Sequence, residues 1–170
     1  ALKLNWQGNT DLQQAQYLVR SFLLFSSMDI QRAYLYFYDD KDEASFHAAS
    51  GITRHFNPKI SFWALKQLYQ TLGNYRFNRI IQQTAGEAYV FEFVKGDDKN
   101  DLVWVAWSPT GVRTDRKKGY QPKQTTITLE NLPGNITAAT AMATTNANAQ
   151  TINYKKKDSS AVSIEINESP

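Results

Sequence analysis

The sequence predicts an α+β chain, in which a helix–strand–helix segment is followed by an antiparallel β-module. Two observations support this. Apolar residues recur at helical spacing in two early stretches, and from about Tyr75 they recur at every second position instead. The 170 residues, 42% of them hydrophobic, are enough to bury the core of one domain or two small ones. We therefore expect one domain over residues 1–75 and a second over residues 76–170.

The first helix is predicted over residues 10–26. Thr10 followed by Gln13 matches a capping box, in which each side chain caps the other residue's backbone N–H. From Leu18 to Phe25 the helix is apolar nearly all round, which is typical of a helix buried on more than one side.

A strand is predicted over residues 30–38, where an aromatic run ends in acidic residues. Tyrosine, phenylalanine and leucine favour a buried strand. A single strand leaves its backbone groups unpaired, so its partner strands are expected upstream of Ala1. The chain is therefore interpreted as a fragment, or as a domain of a longer protein.

The second helix is predicted over residues 58–72. Asn57 suits the N-cap and Pro58 the first helical position, while Gly73 marks the end. Seven short alternating runs after this helix predict an antiparallel β-sandwich of about seven strands. These runs are Tyr75–Gln82, Ala88–Lys95, Leu102–Ser108, Thr125–Leu129, Ile136–Thr144, Thr151–Tyr154 and Ala161–Ile166.

Composition excludes several classes of site. The sequence has no cysteine, so disulfides, thiolate metal sites and cysteine nucleophiles are excluded. A net charge of +3 is too small to indicate nucleic acid as a partner. No apolar run is long enough for a membrane span. His47 and His55 have no third ligand type nearby, so we expect neither a metal nor a cofactor.

Residues 6–82 resemble the last part of the barrel in clan A glycoside hydrolases. The resemblance is carried by two motifs, Gln14-Ala15-Gln16-Tyr17-Leu18-Val19-Arg20 and Gly51-Ile52…Pro58-Lys59…Ala64-Leu65. It implies the closing helix–strand–helix part of a (β/α)8 barrel, with residues 10–26 as helix seven, 30–38 as strand eight and 58–72 as helix eight. A C-terminal β-sandwich is common in such enzymes.

The resemblance also implies an activity. Clan A enzymes hydrolyse β-linked glycosides by a retaining mechanism, with one glutamate after strand four and another at the end of strand seven. Both positions would precede this chain, in which Leu2–Trp6 would be what remains beyond strand seven. We therefore expect no catalytic residue here, and a chain that is inactive alone. The implied partners are a carbohydrate substrate and the rest of the barrel, in a bacterial protein that is extracellular or periplasmic.

Four residues are the candidates for substrate contact. An aromatic residue at the end of strand eight forms a sugar platform in the family, and Tyr38 matches it by position; Tyr36 lies on the same side of the strand. Asp40 and His47 follow on the loop and are expected to hydrogen-bond sugar hydroxyls. The other interpretations are barrel-core packing for Tyr36 and solvated loop acids for the aspartates.

Two other functions remain open from the sequence. The β-module could bind polysaccharide through a platform of Trp63, Trp104 and Trp107, although burial of these residues between the domains is the simpler interpretation. Alternatively, the chain could belong to a structural or interaction protein built on a degenerate barrel.

Overall fold

The computed structural model describes residues 8–41, 43, 45, 48–84, 87–108 and 124–170. Within these residues the fold is α+β, with two helices and antiparallel sheets. It contains two compact units. The first holds the described residues up to Gly73 together with Ala143–Asn148, and the second holds those of Asn74–Met142 and Ala149–Pro170.

The first unit is built on two helices that pack against each other, α1 (Asp11–Ser26) and α2 (Ile60–Leu72). The capping box at the start of α1 is confirmed. Thr10 Oγ1 accepts from the Gln13 N–H at 3.1 Å, and Gln13 Oε1 accepts from the Thr10 N–H at 2.9 Å. The buried side of α1 includes Ala15, Val19 and Leu23.

The predicted strand over residues 30–38 is wrong for this chain. The segment forms no strand, and one parallel bridge joins its end, at Asp39, to Thr53. Tyr34, Tyr36 and Tyr38 are 79%, 88% and 57% exposed, so the expected burial is also absent. The physical reason is that, among the described strands, only the two-residue β1 meets this segment, and it does so at the segment's end, so the rest of the segment has no neighbouring strand to pair with.

The second helix begins later than predicted. Asn57–Pro58 forms the short strand β2, which pairs with β1 (Thr53–Arg54) in a hairpin. The two residues at the turn, His55 and Phe56, have positive φ angles of 50° and 60°. This turn uses the residues that were expected to cap the helix, so α2 starts after Lys59 instead. Its end at Leu72 agrees with the prediction.

The described part of the second unit forms two antiparallel sheets of three strands each, in the orders β3-β4-β5 and β6-β8-β7. Their bounds are β3 Tyr75–Thr84, β4 Ala88–Lys95, β5 Asp98–Trp107, β6 Thr125–Leu129, β7 Tyr154–Lys156 and β8 Val162–Ile166.

Five of the seven predicted strands are present, with ends that differ by up to four residues, as in β5, which begins at Asp98 and not at Leu102. The other two differ more. Ile136–Thr144 is not a strand and has one bridge, between Thr140 and Thr151. The strand predicted at Thr151–Tyr154 begins at Tyr154 instead. The stretch around residues 138–149 is rich in alanine, threonine and asparagine, so it has few large apolar side chains that could hold a strand against the core.

One hydrophobic cluster joins the two sheets of the second unit. Alternate residues of three strands form it: Ala88 and Val90 from β4, Ile127 and Leu129 from β6, and Val162 and Ile166 from β8. The spacing of two residues in β4 and β6 and of four in β8 is the alternation seen in the sequence, and it places these side chains on the inner faces.

Candidate functional site

Asp40 is the centre of a charged cluster in the first unit. Its carboxylate accepts from Lys59 Nζ at 3.2 and 3.3 Å and from Arg54 Nε at 3.1 Å. It also accepts from the Gly51 N–H at 2.9 Å. The side chains of Asp40 and Lys59 are only 7% and 4% exposed, so this is a buried ion pair whose hydrogen bonds are largely satisfied within the chain.

The loop after Asp40 returns to the end of the 30–38 segment and is fixed there by its backbone. Tyr38 O accepts from the N–H groups of Ile52 and Thr53 at 2.9 and 3.0 Å. Gly51 lies so close that a Cβ atom there would be 2.4 Å from the backbone of Asp39. A glycine is therefore required at this approach, for reasons of space.

Two further side chains connect this loop to the helices. Gln14, on α1, donates to Ser50 O and Gly51 O at 3.1 and 3.0 Å. Lys59, at the start of α2, donates to Gly51 O at 2.8 Å. Hydrogen bonds from Gln14 and Lys59 thus join the loop at Gly51 to the starts of both helices.

Asp39 fixes the β1–β2 hairpin. Its Oδ1 accepts from Thr53 Oγ1 at 2.6 Å and from the Phe56 N–H at 3.0 Å. These bonds and the nearby His55 lower the pKa of Asp39, while partial burial opposes them. Asp39 therefore remains ionised to a lower pH than an ordinary aspartate, and it stabilises the turn as an anion.

Arg54 connects the hairpin to α1. Its guanidinium donates to both oxygens of Asp11, at 3.4 and 3.1 Å, as well as to Asp40. The hydrogen bond to Asp11 raises the pKa of Arg54. Arg54 is 49% exposed in its side chain and Asp11 39%, so this pair faces solvent at the surface of the cluster.

An open cleft of about 420 Å³ lies against this pair. Its lining includes Asp11, Arg54, His55 and Asn57 on the polar side, and Pro58 and Trp63 on the apolar side. The cleft thus combines charged hydrogen-bonding groups with an aromatic wall, which is the usual make-up of a small-ligand site.

The structure places the four predicted contact residues differently. Tyr36 and Tyr38 are exposed on the extended segment, with Tyr38 beside the charged cluster. Asp40 is buried and hydrogen-bonded within the chain, so it holds Gly51, Arg54 and Lys59 in position. His47 lies outside the described residues. Substrate contact by all four stays a prediction.

Sequence reasoning missed three residues of the cluster, namely Asp11, Arg54 and Lys59. The sequence offers a signal for two of them: Asp11 is an acidic residue directly after the N-cap Thr10, and Lys59 belongs to the Pro58-Lys59 motif. These residues reach Asp40 because of the hairpin at His55–Phe56, which the sequence does not indicate, since phenylalanine rarely takes a positive φ.

The suggested tryptophan platform does not form on the β-module. Trp107 is 2% exposed and stacks on Tyr89, with ring centroids 5.4 Å apart. Trp104 donates its indole N–H to Glu92 at 2.8 Å. Both residues thus have structural partners within the second unit.

The described residues contain neither a metal-binding cluster nor a membrane-spanning helix. No group of three or more histidine and acidic side chains is arranged to hold a metal ion among them. No helix in the part of the chain that the structure describes has the length and apolarity to span a membrane.

Comparison with known proteins identifies the fold. No protein-family model matches this sequence, and no curated protein matches it significantly. Among solved structures, it is similar to a family 39 glycoside hydrolase from the gut symbiont Bacteroides cellulosilyticus WH2, with a TM-score of 0.65 and 19% sequence identity. The match covers 95% of this chain and 30% of that enzyme's chain. At 19% identity the likeness shows only that this chain has the same fold as part of that glycoside hydrolase.

Proposed function

We propose that this chain is the closing part of a (β/α)8-barrel glycoside hydrolase together with its β-sandwich, acting on a β-linked glycoside with retention of configuration. The observation that carries the proposal is the structural likeness, which extends over 95% of this chain but 30% of the glycoside hydrolase. On this proposal, residues 30–38 are strand eight of a barrel whose other strands belong to the rest of the protein.

The pattern of exposure along residues 30–38 supports this assignment. Tyr34, Tyr36 and Tyr38 are exposed, whereas Leu35 and Phe37 between them are half-buried. A barrel strand has one face on its helices and the other towards the barrel interior. The three tyrosines are therefore assigned to the interior, with Tyr38 in the layer nearest the mouth.

The position of the polar groups also supports the proposal, because they lie where the extended segment ends and the helices begin. Asp39 and Asp40 follow the extended segment, and Asp40 is hydrogen-bonded to Lys59 at the N-terminal end of α2. Arg54 joins Asp40 to Asp11 in the first turn of α1. In (β/α)8 barrels this is the face that carries the active site, because strands end there and helices begin. On this proposal, Tyr38 lies beside the substrate.

Catalysis itself is assigned to the rest of the protein. Retaining hydrolysis needs two carboxyl groups roughly 5–5.5 Å apart, one of them a free nucleophile. Asp11, Asp39 and Asp40 are each hydrogen-bonded to a cation or to a hydroxyl group of this chain. We therefore propose that this chain contributes the substrate contact of Tyr38 and the support of the mouth.

The test uses the protein encoded by the complete gene and an aryl β-glycoside series. That protein should release the aryl group with retained anomeric configuration, followed by NMR, while the 170-residue chain should not. Tyr38→Ala should raise KM several-fold with an unchanged thermal unfolding temperature. Tyr69→Ala, which alters an exposed tyrosine on α2, is the matched control and should leave KM unchanged.

Either of two results would contradict the proposal. Inversion of configuration would exclude the retaining mechanism. Unaltered kinetics in the Tyr38→Ala protein would remove Tyr38 from the substrate site, while leaving the assignment of the fold in place.

A further inference from the structure

We propose that the cleft beside Asp11 and Arg54 is a second sugar-binding site, which takes a neutral sugar unit of an oligosaccharide. The cleft has a volume of about 420 Å³, which is within the range of small-ligand pockets. The choice of sugar as the ligand class rests on the proposed function, whereas the choice of a neutral ligand rests on the charges of the cleft itself.

Charge balance favours a neutral ligand over an ion. Arg54 is paired with Asp11 at 3.1 Å, and Lys59 with Asp40 at 3.2 Å. Each cation of the lining therefore has its own carboxylate within the chain, and the two pairs together carry no net charge. An anionic or cationic ligand would have to break one of these pairs, one of which is buried, so an uncharged ligand is preferred.

The polar side of the cleft suits hydroxyl groups. Asp11 and Arg54 remain 39% and 49% exposed in their side chains, so they retain lone pairs and N–H groups that face solvent. A carboxylate and a guanidinium side by side can accept from one hydroxyl group and donate to its neighbour. Adjacent hydroxyl groups on a sugar ring can bind to such a pair, one to the carboxylate and the other to the guanidinium. Hydrogen bonds to charged groups are stronger than those between neutral groups.

The apolar side supplies a surface for a sugar ring. Trp63 is half-buried, and its indole packs edge-to-face on Phe62 with centroids 5.0 Å apart. The Lys66 ammonium lies over one face of the same ring, 5.2 Å from its centre, so a sugar would pack on the other face. Phe62 and Lys66 together fix the orientation of the indole, so that little conformational entropy is lost when the C–H face of a sugar packs against it.

The lip of the cleft is a strained hairpin. His55 and Phe56 have left-handed backbone angles, which cost energy for residues with these side chains, and Phe56 is also 78% exposed. The hydrogen bonds of Asp39 retain this conformation. Backbone strain of this kind is concentrated at ligand sites, and here it positions His55 and Asn57 at the cleft.

The test is a titration of the 15N-labelled 170-residue chain with xylohexaose and cellohexaose, followed by NMR of the indole N–H groups. The Trp63 signal, assigned by its loss in Trp63→Ala, should shift with added sugar. Affinity should fall about tenfold in Trp63→Ala, as expected when a central aromatic contact is lost. Tyr69→Ala, which alters an exposed aromatic on the same helix, should bind like the parent chain.

Asn57→Ala provides a second variant in case Trp63→Ala unfolds. Its side chain is exposed, so the fold should tolerate the change while affinity falls. Oligogalacturonate of the same length is the charged probe, and it should bind more weakly than the neutral sugars.

Three outcomes would overturn the proposal. The first is no shift of the Trp63 signal with either neutral sugar, and the second is equal affinity in Trp63→Ala. The third is tighter, salt-sensitive binding of oligogalacturonate, which would contradict the charge assignment. None of these outcomes bears on hydrolysis by the complete protein, so failure of this site and failure of the proposed function are distinguishable.

Discussion

At the scale of single residues, Asp40 has the largest predicted effect on stability. It is the carboxylate partner of the buried Lys59 and of Arg54, and Asp40→Asn removes the negative charge from both pairs. Leaving a buried ammonium without its counter-ion costs about 3 kcal/mol. We expect the free energy of unfolding to fall by about that amount, measured by urea denaturation with far-UV circular dichroism.

Glu43→Gln is the matched control for Asp40→Asn. Glu43 is paired with Lys41 at 3.8 Å, and both side chains are 57% exposed, so the change should be within about 0.5 kcal/mol. Equal small effects of the two substitutions would show that the ion pair of Asp40 and Lys59 does not stabilise the first unit.

Glu92, like Asp40, is a buried carboxylate paired with a cation, and it lies in the second unit. Burial raises the pKa of Glu92, but hydrogen bonds from Arg79, Asn78 and Trp104 outweigh burial, so its pKa is lowered. The stabilisation is fully present above the ordinary carboxyl pKa and is lost as the pH falls through the lowered value. We therefore expect the parent chain to lose stability below about pH 4.5 more steeply than Glu92→Gln does.

Measurement of this difference needs urea unfolding of both proteins between neutral pH and pH 3. At neutral pH Glu92→Gln should be less stable by about 1–2 kcal/mol, a modest value because Arg79 is largely exposed. Glu165→Gln, which alters an exposed glutamate on β8, should follow the pH dependence of the parent chain. Parallel curves for the parent and Glu92→Gln would contradict the assigned pKa direction.

Some residue-level features were readable from the sequence and others were not. The Thr10–Gln13 capping box was predictable because both partners lie within four residues and act through local backbone groups. The bond between Asp40 and Lys59 spans 19 residues and depends on a turn between them. Such a contact has no local signature, so Asp40 was identified as a polar loop residue without its structural partners.

At the scale of elements, the β1–β2 hairpin contains strain that substitution can relieve. A residue with a side chain pays roughly 1–2 kcal/mol for a left-handed conformation, and asparagine is the side chain that tolerates it best. Phe56 is 78% exposed, so its removal forfeits little packing. We expect Phe56→Asn to raise the free energy of unfolding by about 1 kcal/mol in urea denaturation.

Phe56→Val is the opposing variant for this experiment. A β-branched side chain fits a positive φ least well, so this substitution should lower stability by a similar amount. If the two variants have the same stability, the turn does not hold Phe56 at the positive angle of 60°.

The elements that the sequence predicted well are those whose apolar pattern is complete within the element. The helices α1 and α2 and the strands β4 and β6 show a full periodic face, and burial follows that face in α1 and β6, whereas β4 is buried on both faces. Residues 30–38 have the composition of a strand, but strand formation requires a neighbour. Composition alone cannot supply that neighbour, so the sequence predicted the intrinsic preference of this segment and not its state in this chain.

At the scale of the whole molecule, the shared fold and the absence of strand structure over residues 30–38 lead to one explanation. The structural likeness covers 30% of a glycoside hydrolase chain, and among the described strands only the two-residue β1 meets the 30–38 segment, at its end. If the rest of the protein supplies a barrel, its strands would pair with the backbone of this segment and cover its three exposed tyrosines. The segment would then be a strand in the complete protein.

Hydrogen exchange measures this difference directly. In the 170-residue chain the amides of residues 32–35 should exchange close to the rate of an unstructured peptide, because no ladder in the described part of the chain includes them. In the protein encoded by the complete gene, pairing on both sides should slow their exchange by several orders of magnitude, towards the rate set by global unfolding. The amides of β4, which is already paired with β3 and β5, are the internal control and should be protected in both proteins. Equal, rapid exchange of residues 32–35 in the complete protein would exclude a barrel strand at this position, even if β4 remained protected.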